Sequence, residues 1–116
     1  MASFELIYEE EEDILEVTFA LFDEHFARVI SLNDNILLHT DTGLSVAWGL
    51  TLYSYRQLLQ VSETHLDGLR PLDPAALRAV LRVIAVPPLS LFLEMLDVEG
   101  LRALVKAPDF TSLLDG

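Results

Sequence analysis

Apolar residues recur at every second position through the first half of this chain, and the pattern then breaks. Phe4, Leu6 and Tyr8 alternate with Glu5 and Ile7, while Leu15, Val17 and Phe19 alternate with Ile14, Glu16 and Thr18. Successive side chains of a strand point to opposite faces, so this spacing predicts half-buried β-strands. Two further short runs, residues 26–31 and 36–40, flank Asn33-Asp34-Asn35, whose side chains favour turns and tolerate left-handed backbone. A fifth run, residues 44–52, follows Asp41-Thr42-Gly43. Five short strands joined by tight turns predict an antiparallel β-meander over residues 4–52, with one face needing cover.

From residue 53 the period changes. Asp73 precedes Pro74, whose missing N–H costs nothing in a first helical turn, and Leu77, Val80, Leu81 and Ile84 then fall at i, i+3, i+4 and i+7. This predicts a helix that ends before Pro87-Pro88, because proline disfavours helical backbone in the residue before it. A shorter helix is expected over residues 53–61, with Tyr55, Leu58 and Leu59 on one side. Leu89, Phe92, Leu93 and Leu96 form a helical stripe, so residues 89–96 are read as helix. The alternative is a hairpin, with Asp97-Val98-Glu99-Gly100 as its turn. Asp109 is expected to cap a last short turn. The fold class is therefore α+β: about five antiparallel strands, then a mainly helical part, residues 53–116, covering one face. With 116 residues, a single domain is the natural reading.

Hydrophobic residues make up 52% of the chain, more than a domain this small can bury by itself, so part of the surplus is expected in a homodimer interface. Trp48, with Leu89, Phe92, Leu93 and Leu96, is the candidate for that surface. The formal charge is −12. Residues 1–60 carry 11 acids and two bases, hence −9, and residues 61–116 carry 8 acids and five bases, hence −3. Such a balance repels phosphate backbones and excludes direct nucleic-acid binding, while the acidic half would attract a basic partner. The densest acids, Glu9, Glu10, Glu11, Glu12 and Asp13, are hard oxygen ligands of the kind divalent cations prefer. They lack the alternating spacing of a calcium loop, and a solvated turn that blocks edge-to-edge sheet pairing is the expected role.

Cysteine is absent, which excludes disulfides and thiolate chemistry. The longest uncharged run, residues 42–55, is too short and too polar to span a bilayer, and MASFELIYEEEE does not read as a secretory leader. A cytoplasmic location is the expectation. His25, His39 and His65 lie too far apart in sequence to place two imidazoles on one face, so no metal or cofactor site is expected. Gly43-Leu44-Ser45-Val46-Ala47 falls one residue short of a nucleophile elbow, and Ser45 is expected to open a strand instead.

Two resemblances bear on function. Asp41-Thr42-Gly43, followed by Ser45 and Trp48, resembles the catalytic loop of pepsin-like aspartic proteases. That chemistry needs two aspartates sharing a proton, which a chain of this length could supply only as a symmetric dimer. Against it, His39 and Thr40 are polar where that family is apolar, and neither a glycine-rich flap nor a later apolar pair followed by Gly is evident. A hairpin turn is the expectation. Over residues 4–60 a second resemblance covers more of the chain. YEEEEDILEV, with Tyr8, Glu11, Asp13, Leu15 and Val17 in place, is similar to the signature of the small bacterial domain of unknown function 2283. NILLHTDTGLSVAWGLTL is similar to that family's strand, Asp-x-Gly turn and final strand leading into a short helix. The resemblance implies a small β-meander, and some members are thought to neighbour toxin-like genes. Taken together, a non-catalytic protein-interaction module acting as a homo-oligomer is the expected function. An antitoxin-like partner of a basic protein is the alternative, and a dimeric hydrolase using Asp41 stands further off.

Overall fold

The computed structural model describes residues 5–19 and 27–107. Strands β1 (Glu5–Glu9) and β2 (Ile14–Thr18) form the first hairpin, closed by the acidic turn. Strands β3 (Ala27–Asn33), β4 (Ile36–Asp41) and β5 (Ala47–Tyr53) follow, all antiparallel to their neighbours. The β3–β4 turn is the Asn-rich one expected: Asn35 N–H donates to Asn33 Oδ1 at 2.8 Å. The strand order, however, is β1-β2-β5-β4-β3, so this is not a simple meander. β5 inserts between β2 and β4 because it is the most apolar strand and carries no charge. Only its last residue is exposed, and a central strand is where such a sequence loses most water-facing surface. β1, bounded by Glu5 and Glu9, is left at an edge, where acids discourage further pairing.

The alternation fixes two faces. Leu15 and Val17, Leu50 and Leu52, Ile36 and Leu38, and Ile30 point inward and are buried. Leu32, two residues beyond Ile30, joins the same core by the same alternation, and the bulge between Ser31 and Asn33 sets Asn33 opposite Ile36. Over this face lie helix α1 (Tyr55–Gln60), helix α2 (Pro74–Ala85) and a small sheet in the order β6-β8-β7, from β6 (Thr64–His65), β7 (Leu93–Asp97) and β8 (Arg102–Val105).

α2 follows the sequence reading. Asp73 accepts a hydrogen bond from Ala76 N–H at 2.7 Å, and Val80, Val83 and Ile84 are buried, with Leu77 and Leu81 packed partly against them. Its C-cap is Val86, in extended backbone just before the prolines. α1 is shorter than expected and buries Tyr55 and Leu58, whereas Leu59 faces out.

Residues 89–96 are not a helix. A 3₁₀ turn, Leu89–Leu91, leads into β7, which pairs with β8. Helical propensity is overruled by the turn chemistry that follows. Asp97 Oδ1 accepts from Glu99 N–H at 3.2 Å, Leu101 takes left-handed backbone at φ 55, and Arg102 reaches back to Asp97 at 3.2 Å. The residues at 53–105 are thus mixed strand and helix, and the expected cap at Asp109 lies outside the described residues. Side chains tie the second layer to the first. The Phe92 ring lies 5.8 Å from that of Phe19, and Asn33 Nδ2 donates to Thr64 Oγ1 and to the His65 carbonyl at 3.1 and 3.0 Å.

Candidate functional site

The outward side chains of the five-stranded sheet form a continuous face. Register places Glu5, Thr18, Gly49, His39 and Val29 in one row across the strands, and Ile7, Glu16, Thr51, Leu37 and Ser31 in the next. Ile14 and Tyr53 begin a third. Val29 is 54% exposed, Ile7 46% and Tyr53 37%, so three large apolar groups lie open on one face. Charge on this face is one-sided: Glu5, Glu9 and Glu16 belong to β1 and β2, while the outward residues of β3 and β4 include no acid until Asp41.

His39 sits mid-face. Its ring lies over Gly49, where an added Cβ would come within 3.6 Å of His39 Cδ2, and Nε2 is 3.1 Å from Thr51 Oγ1. Burial pushes the imidazole below its ordinary pKa, and the charge of Glu16, on the far side of β5, pulls weakly the other way. The setting therefore favours the neutral ring over the charged one. His65, by contrast, is exposed, 3.9 Å from Glu63, and His25 lies outside the described residues.

The Asp41 loop is a self-satisfied turn. Asp41 Oδ1 accepts from Ser45 N–H at 2.8 Å and Val46 N–H at 3.0 Å, and Oδ2 accepts from the Ser45 hydroxyl at 2.6 Å. These donors, the hydroxyl first, hold the carboxyl below the usual carboxylate range. A carboxylate so engaged is a staple for the loop, and Ser45 spends its proton on it. Leu44, at φ 56, plugs the loop into the core.

Asp13 has a similar duty within the acidic turn. It accepts from Tyr8 Oη at 2.6 Å and from Arg56 N–H at 3.1 Å, while Arg56 Nε lies 3.4 Å away. A side chain 43 residues upstream thus caps the first turn of α1, since the local N-cap, Ser54, gives no side-chain bond. The hydrogen bond from Tyr8 lowers the Asp13 pKa most and raises that of the phenol. Glu9, Glu10, Glu11 and Glu12 are exposed, and no ion pair involves their carboxylates among the described residues. No three His, Asp or Glu side chains converge into a metal-holding group among the described residues.

Of the residues expected to form an interface, Leu89, Phe92 and Leu93 are instead fully buried inside the chain's own core. In strand geometry the former stripe divides, and only Leu96, 48% exposed on β7, faces out; Trp48 is half-buried beside the β4–β5 bulge. The sequence reading missed the outer sheet face, although period two already put Leu37 and His39 on one side of their strand. It also missed a surface cleft of about 410 Å³ between Gly43, Leu44 and Ser45 on one side and Ala79, Arg82 and Val83 of α2 with its C-cap Val86 on the other. No helix among the described residues is long and apolar enough to cross a membrane. Compared with family models, curated proteins and solved structures, the chain matches none.

Proposed function

We propose that the protein is a non-catalytic interaction module that works as a homodimer, two copies packing the outer faces of their five-stranded sheets. The observation that carries this reading is the one-sided charge of that face. In a two-fold pairing about an axis along β5, the acidic β1–β2 half of one copy lies over the β3–β4 half of the other. Glu5 of one copy then approaches Val29 of the other, and the acids stay apart. Five strands spaced about 4.8 Å apart and about 17 Å long give a projected face of roughly 400 Å², small beside the usual 800 Å² per partner. The dimer is accordingly reversible and dissociates on dilution.

Sedimentation equilibrium across a concentration series tests this. Val29→Glu places an acid against Glu5 of the other copy and shifts the equilibrium to monomer, and adding Glu5→Lys in the same chain restores association. A wild-type monomer at every concentration, or Val29→Glu without effect, refutes the pairing.

The self-satisfied Asp41 carboxylate supports the non-catalytic side of the proposal, since its donors favour an ionised staple over a shared proton. A second reading, an antitoxin-like role towards a basic protein, draws on the unengaged carboxylates of Glu9 to Glu12 and on the resemblance of residues 8–17 to the domain of unknown function 2283. Its mark would be a basic partner lost on changing those four residues to glutamine while self-association persists.

A further inference from the structure

The cleft beside the Asp41 loop lies apart from the outer sheet face and has its own chemistry. Its volume, about 410 Å³, falls within the range of small-molecule sites. One wall is Gly43, Leu44 and Ser45, set in place by the three hydrogen bonds to Asp41. The other is the last two turns of α2 and its C-cap, where Ala79, Val83 and Val86 present a mostly apolar surface. Val86 is 53% exposed, a large apolar group left at the mouth.

Arg82 is the single charged residue of this lining among the described residues. No ion pair involves it among the described residues, although the chain carries 19 acids against 7 bases. Asp41, the nearest acid in sequence to the loop wall, is committed to its own donors. The carbonyls at the end of α2 favour a cation in its last turn, which stabilises the guanidinium there. An unpaired guanidinium offers a planar fork that matches a carboxylate. Apolar walls beside it suit a hydrocarbon body and would reject a compact, fully hydrated anion such as phosphate.

We infer that this cleft binds a small amphipathic carboxylate, its charged end on Arg82 and its apolar body against Leu44, Ala79, Val83 and Val86. Octanoate is the probe and 1-octanol its uncharged control, followed by amide chemical shifts at pH 7. Octanoate should give saturable shifts at residues 43–45 and 79–86 and bind about fivefold tighter than the alcohol, the range of a partly exposed ion pair. Arg82→Gln should abolish that preference while alcohol binding persists. Arg78→Gln, on the same helix but outside the lining, should leave it unchanged, and Ala79→Phe should block both ligands. No saturable shift, equal affinity for acid and alcohol in the wild type, or a preference that survives Arg82→Gln would each overturn the assignment. Arg82 is exposed, so its variant tests the site without depending on a core substitution.

Discussion

Replacing Gly68 by alanine should destabilise the protein far more than its position in a surface turn suggests. Gly68 lies in the 3₁₀ turn Asp67–Leu69, pressed against β3, and an added Cβ would stand 1.8 Å from the Ser31 carbonyl oxygen and 2.8 Å from its carbon. Both atoms are backbone, so no rotamer change can relieve the clash. Restoring an ordinary contact means opening this seam by roughly 1.5 Å, a gap that forfeits much of the dispersion attraction across it. Leu32, Leu66 and Leu69 meet there, each fully buried. Losing about a third of the burial of three leucines costs about 2 kcal/mol. The Asn33 side-chain bonds to Thr64 and His65 lie on the same seam, and loosening them adds about 1 kcal/mol. The stiffer unfolded chain returns about 0.5 kcal/mol. The net loss is about 2.5 kcal/mol, a fall in urea midpoint of about 1–2 M at an unchanged m-value.

Gly43→Ala is the matched control. Its Cβ would meet only Asp41 Oδ2, at 3.6 Å, and its φ is not positive, so stability should change by less than about 0.5 kcal/mol. If the two variants unfold at the same denaturant concentration, the close approach of the turn to β3 is wrong.

Other outcomes follow from the same packing. Phe92→Ala should cost about 3–5 kcal/mol in denaturant unfolding, because the ring is fully buried against Phe19; a solvent-facing interface residue would cost almost nothing. Asp73→Ala should cost about 1 kcal/mol by removing the cap on Ala76 N–H, and Asp73→Asn much less. His39 is depressed by burial, so below its ordinary pKa the unfolded chain takes up a proton more readily than the folded one. Its contribution is complete above about pH 6.5 and is lost as pH falls from there toward the folded-state value, so His39→Gln should flatten the stability profile on the acid side of 6.5. Asp41→Asn should remove stability at neutral pH, and its difference from wild type should shrink as the pH falls below the ordinary carboxylate range, as thermal melts across an acid series would show.

What the sequence determined by itself was strand alternation, turns and the bounds of α2. Alternation at 14–18 and 36–40 assigned each strand an inner and an outer side, and the Asp73 cap, Pro74 and the Pro87-Pro88 stop bounded α2, because these depend on neighbours within a turn or two. A turn was read correctly at Thr42-Gly43 for the same reason. Asp41 still belongs to β4, however, and the loop runs on through Val46, so Ser45 does not open β5, because its N–H and hydroxyl go to the Asp41 carboxylate. Tertiary structure decided which strands became neighbours. Period two gives a face but not a partner, so the insertion of β5 beside β2 followed from the gain in burying the least polar strand at the centre. It also decided residues 89–96, where helical and strand spacings share the same leucines and only pairing with β8 chooses between them. His39 and Arg82 acquired their settings last. A half-buried imidazole needs Gly49 and Thr51 from the adjacent strand, and an unpaired guanidinium beside an apolar cleft needs the Asp41 loop brought against α2 from some 40 residues away.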